Sequence, residues 1–427
     1  MRDFHQPGRS AVLAQNGMCA TSHPLAAKTA IDILERGGNA MDAAIAGAVL
    51  LGICEPQMTG IGGDCFVLYN RAGENDIRAL NGSGRAPAGI STATLRAEGH
   101  ETVPVNSAHA VTIPAAIDAF CHLAETEGKL GIDALLAPTI HYAEAGVPVA
   151  PRVAFDWSSD ADALQGCART AYLIDGRIPM PGEVFRAPGQ AEVLRRVAKD
   201  GRDAFYTGEI AEDMVASLRA LGGAHSLEDF ANTRCDAVTP ISGTYKDVEL
   251  VEHPPNGQGA TAILMTNILS QFDVASMDPF GTQRAHIEAE AAKLAYDTRN
   301  RFLSDPDHMS RLDHMLSMDT ARELAALIDP RKAMDARQFF QRLCTRTRFT
   351  SQSWIRTAWL CRLSIPFSTV LDLGSHPTNS VSSFRTAVRV SPCRKAIRTR
   401  WGQENARCTP LSRPCCVRMG RSQCPSV

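Results

Sequence analysis

The densest run of residues able to do chemistry is EPQMTGIGGDCFVLYN, residues 55–70. Gly60, Gly62 and Gly63 allow positive φ and the close approach of another segment, and Asp64 can accept from nearby amides just before a strand. Such a loop can cradle phosphate. This one lacks GxGxxG spacing, and no Lys-Ser/Thr pair follows it as a P-loop requires, so it reads first as a structural turn. The patterns GxSxG and HExxH are both absent. His23, His109 and His253 read as hydrogen-bonded structural histidines. Glu288, Glu290 and Lys293 read as the solvated face of one helix, without further support for a paired-carboxylate glycosidase. Near the end of the chain, Cys408, Cys415, Cys416 and Cys424 with His376 contain no CxxC pair and fit no zinc-ligand spacing, so no metal is expected.

The elements that position these residues follow from local grammar. In SHPLAAKTAIDILERGGNA, Pro24 suits a first helical turn, apolar residues recur on one face, and Gly37-Gly38 ends the helix. Asn39 then caps a second helix, MDAAIAGAVLLGI, which is apolar nearly all round and should be buried with close backbone contacts. CFVLYN and IRALNG read as strands joined by the turn RAGEND. Further helices are expected in IDAFCHLAETEG, QAEVLRRVAKD, AEDMVASLRALGG and RAHIEAEAAKLAYDTRNRFL, and alternation marks YKDVELVEH as a strand. The elements are grouped more than alternated, which points to an α+β fold with antiparallel strand pairs covered by helices.

With 427 residues, 44% of them apolar, the chain can bury one large core or two ordinary ones. No basic-then-apolar leader opens it and no window approaches a membrane span, which predicts a cytoplasmic protein with no membrane partner. Its net charge of -2 conceals two unlike regions. Residues 339–427 hold 15 Lys and Arg against the two acids Asp372 and Glu404, which leaves residues 1–338 with 29 bases against 44 acids. Seven of the 13 cysteines and three of the four tryptophans also fall in the last 89 residues. Two regions follow, 1–338 and a basic, Cys/Arg/Ser-rich tail at 339–427 that is expected to be disordered. That tail could attract nucleic acid electrostatically, with Trp354, Trp359 and Trp401 stacking on bases, but this is the lesser reading.

The ordered series CATSHPLAAKTAIDILERGGNAMDAAIAGAVLLGICEPQMTGIGGDCFVLYN, ALNGSGRAPAG, VTIPAAIDAF, FYTGEIAEDM, PISGTYKDVELVEHPPNGQGATAI and AKLAYDTRNRFLSDPD resembles the gamma-glutamyltranspeptidase family over roughly residues 12–335. The resemblance implies an N-terminal-nucleophile hydrolase with a four-layer αββα sandwich. It implies a precursor that cuts itself into a large and a small subunit, exposing a Thr whose hydroxyl attacks a γ-glutamyl or related amide while its own α-amine acts as base. Backbone and side-chain donors hold the oxyanion, and water or an acceptor amine resolves the acyl-enzyme, with no cofactor. In well-matched members an Arg ahead of Ala-Pro clamps the substrate α-carboxylate. Aligning Ala86-Pro87 places Ser83 there, with Arg85 two residues on. Ser83 and Arg85 are therefore the expected substrate contacts, with Thr59, Gly60, Gly62, Gly63 and Asp64 shaping the pocket wall. The departure from Arg also leaves open the branch that acts on other amides, such as oxamate amidohydrolases and β-lactam side-chain acylases. Arg85 as a surface ion pair is the plainer alternative.

The nucleophile should open a β-strand shortly after residue 338. Instead the chain reads QRLCTRTRFTSQSWIRTAW, with Arg342, Arg346, Arg348 and Arg356 and no acid. No residue is assigned as catalytic. In the neighbouring reading frame LCTRTRFTSQSW can be respelled as His-Lys-Asp-Thr-Val-Tyr-Ile-Thr-Val-Val, a strand of the expected kind. The same shift turns FSTVLDLGSH and NSVSSFRTAVRVS into glycine-containing segments like those of the family. A frameshift that deprives the chain of its Thr-bearing half accounts for all three, and predicts an incomplete sandwich.

Overall fold

The computed structural model describes residues 12–104, 106–158, 164 and 166–334, with two short strands, Val370–Leu371 and Phe384–Arg385. These residues lie in one compact unit. The expected disordered tail falls, but for those two strands, outside the described residues.

Two helices, Pro24–Glu35 and Ala40–Cys54, open the fold where the cap residues predict. The buried His23 caps the first, its Nδ1 accepting from the Leu25 amide at 3.2 Å, and burial lowers its pKa below the usual histidine range. Asn39 and Asp42 cap the second reciprocally, and the Asp42 carboxylate also accepts from the Lys129 and Leu130 amides. The second helix is buried on nearly every side, as its all-round apolar sequence requires. Gly52 near its end lets the following loop close in, since a Cβ there would lie 3.2 Å from the Gly60 Cα.

The strands Cys65–Asn70 and Ile77–Gly82 pair antiparallel, and Asp236–Val238 extends the sheet beside the second of them. Cys65, Val67, Tyr69 and Leu80 face the helical core, while Phe66 and Leu68 stay exposed on the other face. Among the described residues every strand pair is antiparallel, and helices pack on the first sheet and on the hairpin Ile241–Glu252, as the grouping of elements predicts.

Two expectations need correction, and one helix went unread. IDALLAPTIHYAEA is a helix, Ile132–Ala145, which Pro138 disguises because proline removes an amide from the helical ladder. YKDVELVEH is not one strand: Ile241–Tyr245 and Val248–Glu252 form a hairpin, and Lys246 turns it at φ 57°. Within the long helix Thr282–Phe302, Glu290 is 1% exposed rather than solvated. Its carboxylate accepts from Lys293 and from the Met334 amide at 3.0 Å, so it anchors the segment that follows the last helix. That helix, Met318–Ala325, packs with the long helix and with Gly259–Leu269 around Leu264, Leu294 and Leu324.

Candidate substrate-binding site

The hairpin brings the predicted residues to one place. Its pairing ends at Cys65↔Gly82, so Asp64 and Ser83 are the next residues beyond it, side by side in sequence register. The Gly63 carbonyl accepts from the Ala115 and Ala116 amides, each at 3.2 Å, and the Arg85 carbonyl accepts from the Ile113 amide at 2.8 Å. Residues 63–64, 83–85 and 113–116 thus form one cluster. Gly84 makes it possible: its φ is +71°, and a Cβ would lie 1.8 Å from the Ile113 carbonyl oxygen.

The loop at Thr59–Asp64 does less than its composition suggests. The Thr59 amide donates to Glu55 at 3.1 Å and Gly63 to Gly60 at 3.2 Å, closing two turns. Gly60, Gly62 and Gly63 all keep negative or extended φ, against the expectation of left-handed backbone; Gly60 is used for close approach instead. Burial raises the pKa of the Asp64 carboxyl, with its own backbone hydrogen bond opposing, and pushes the Cys65 thiol up to about 12. A thiol raised by burial is held in its protonated form near neutral pH, the opposite of what activates a nucleophilic cysteine.

Ser83 closes a ring of hydrogen bonds with two asparagines. Its amide donates to Asn81 Oδ1 at 3.0 Å, Asn81 Nδ2 donates to Asn256 Oδ1 at 2.9 Å, and Asn256 Nδ2 donates to Ser83 Oγ at 3.0 Å. Asn256 belongs to HPPNGQG, which is held against the strand end by His253: Nε2 lies 3.1 Å from the Leu80 carbonyl oxygen, and the ring meets Phe66 edge-on at 4.8 Å. An amide is not a base, so the ring orients the Ser83 hydroxyl without activating it.

Arg85 forms the ion pair anticipated as its plainer alternative. Nη1 lies 2.8 Å from Asp307 Oδ2, with side-chain exposures of 65% and 60%. The hydrogen bond to Asp307 raises the arginine's pKa. Asp307 sits in a short turn, Pro306–His308, that Asp305 caps. The other two histidines behave as structural groups: His253 as above, and His109 with Nε2 3.3 Å from Glu98. Asn81, Asn256 and Asp307 were not singled out in the sequence. Only the clustered turn residues of HPPNGQG and the repeated acids of SDPD hinted at the last two.

Chemically, the cluster offers a hydroxyl, two carboxamides and a guanidinium at one end of a sheet, a set suited to holding a polar acyl group. Among the described residues no helix is long and apolar enough to cross a membrane.

A family model described as Gamma-glutamyltranspeptidase matches residues 26–360. The glutathione hydrolase-like YwrD proenzyme of Bacillus subtilis is 30% identical over 74% of this chain and 60% of its own length. The oxamate amidohydrolase proenzyme of Klebsiella pneumoniae is 32% identical over 76% of this chain and 62% of its own. Among solved structures, a cephalosporin acylase from Bacillus halodurans superposes with a TM-score of 0.71 at 38% identity, covering 77% of this chain and 62% of that one. The chain therefore spans less than two thirds of each of these relatives. With its antiparallel strand pairs and surrounding helices it has the architecture of the large-subunit half of an N-terminal-nucleophile hydrolase, and it belongs to the gamma-glutamyltranspeptidase family.

Proposed function

We propose that residues 1–338 are the large-subunit region of an amidohydrolase that transfers or hydrolyses the acyl group of γ-glutamyl or related amides. Ser83 and Arg85 contact the acyl group, and Thr59, Gly60, Gly62, Gly63 and Asp64 back the pocket. The observation that carries this is the family match to residues 26–360, which includes the whole Asn81–Ser83–Asn256 ring. The nucleophile is a Thr that a frameshift after about residue 338 has removed, so this polypeptide neither cuts itself nor turns over substrate. Supporting this is the charge reversal at residue 339, with 15 Lys and Arg against two acids beyond it. The nucleotide sequence across codons 335–345, read again from its source, tests the frame directly. Two fragments on a denaturing gel, with nitroaniline released from γ-glutamyl-p-nitroanilide, would overturn the inactivity.

Ser83 favours a second reading of the substrate. Where the family's glutamyl-specific pattern expects Arg, a neutral hydroxyl stands, bonded to Asn256. The likeness to the oxamate amidohydrolase and the cephalosporin acylase supports acyl groups other than glutamyl.

A further inference from the structure

Among the described residues Arg85 is the one cation of the candidate site, and it is already engaged. Asp307 Oδ2 touches Nη1 at 2.8 Å, and Asp305 and Asp236 lie near enough to add their negative fields to the same guanidinium. One carboxylate thus touches the guanidinium, and two more add to the negative field around it. A ligand carboxylate arriving at Arg85 must displace Asp307 or sit beside it against like charge. A neutral acyl group faces no such competition, because Ser83, Asn81 and Asn256 bind through uncharged donors and acceptors.

We infer that Asp307 is a specificity-determining residue, an internal carboxylate that occupies Arg85 and turns the site against anionic acyl groups in favour of neutral ones. The inference rests on the reading of Arg85 as a substrate contact. The pair is well placed for exchange: both side chains are more than half exposed and share a single short contact, leaving the other guanidinium edges available. Asp307 also comes from a separate turn, 222 residues from Arg85 along the chain.

The full-length chain is titrated with glutarate as anionic probe and glutaramide as neutral probe, binding being followed by ligand-observed NMR. Asp307→Asn is expected to tighten glutarate by about two- to five-fold, the range an exposed ion pair spans, while leaving glutaramide unchanged. Arg85→Gln should abolish that gain in the double variant. If Arg85→Gln weakens glutarate but Asp307→Asn leaves it unchanged or weaker, the role of Asp307 is overturned and Arg85 stands as a contact. If glutarate binding is absent or indifferent to Arg85→Gln in both backgrounds, the reading of Arg85 falls, and the role of Asp307 with it.

Discussion

Two glycine-rich turns meet at the end of the Cys65–Gly82 hairpin, and they work differently. The turn at 59–64 supplies backbone: Gly60 packs under Gly52, the Gly63 carbonyl receives two amides, and the Asp64 carboxyl is half-buried. The turn at 253–259 supplies side chains: His253 clamps the strand and Asn256 reaches Asn81 and Ser83. Glycine density alone ranked the first turn higher. The polar side chains of the cluster come from the second, and from Ser83 and Arg85 between them. Glycine marks where chains come close, which is a packing statement; which groups then point into the gap depends on the segment that arrives.

Substitutions rank the contributions. The largest effect is expected from Gly84→Ala, which combines positive φ with a 1.8 Å collision against Ile113. It should cost about 3 kcal/mol or more, read from the urea midpoint. Gly259→Ala follows: its Cβ would lie 2.4 Å from the His253 carbonyl oxygen and 2.5 Å from the Glu252 Cβ. A loss of about 2 kcal/mol is expected from such overpacking. Gly73→Ala, at φ +82° with nothing within 4 Å, isolates the backbone term and should cost only about 1 kcal/mol. A loss from Gly73→Ala equal to that from Gly84→Ala would mean that close approach contributes nothing. Asn256→Ala breaks the ring and should cost about 1 kcal/mol through the partners it leaves. An unchanged midpoint would remove the second turn's claim to organise Ser83.

The smallest effect distinguishes the turns by pH. Burial raises the folded-state pKa of Asp64 above its unfolded value, so the folded protein binds this proton more tightly. Folding is then penalised at pH above the folded value and relieved as pH falls toward the ordinary carboxylate range. Asp64→Asn should raise the thermal midpoint at pH 7, and its advantage should shrink on acidification. An advantage that grows on acidification would show that the carboxylate is stabilised in the fold.

Much of the fold was legible because its signals are local. Pro24, Asn39 and the alternation of CFVLYN act within a few residues of themselves, and the structure places those elements as read. Local reading failed where one residue countermanded the pattern around it. Pro138 hid a helix, and Lys246 turned a chain whose alternation ran straight through it. Ser83 and Arg85 came to notice through the family's Ala-Pro landmark, whereas Asn256 lies 173 residues from Ser83 and Asp307 lies 222 from Arg85. No spacing rule reaches that far.

Caps, strand alternation, the change of charge at residue 339 and the ordered motifs of the family were therefore determined by the sequence alone, since each depends on neighbours along the chain. The burial of Glu290, the ring joining Asn81, Ser83 and Asn256, and the engagement of Arg85 by Asp307 were decided only by tertiary structure. Burial and partnership are properties of space. A carboxylate looks the same in the sequence whether it meets water, an amide or a guanidinium.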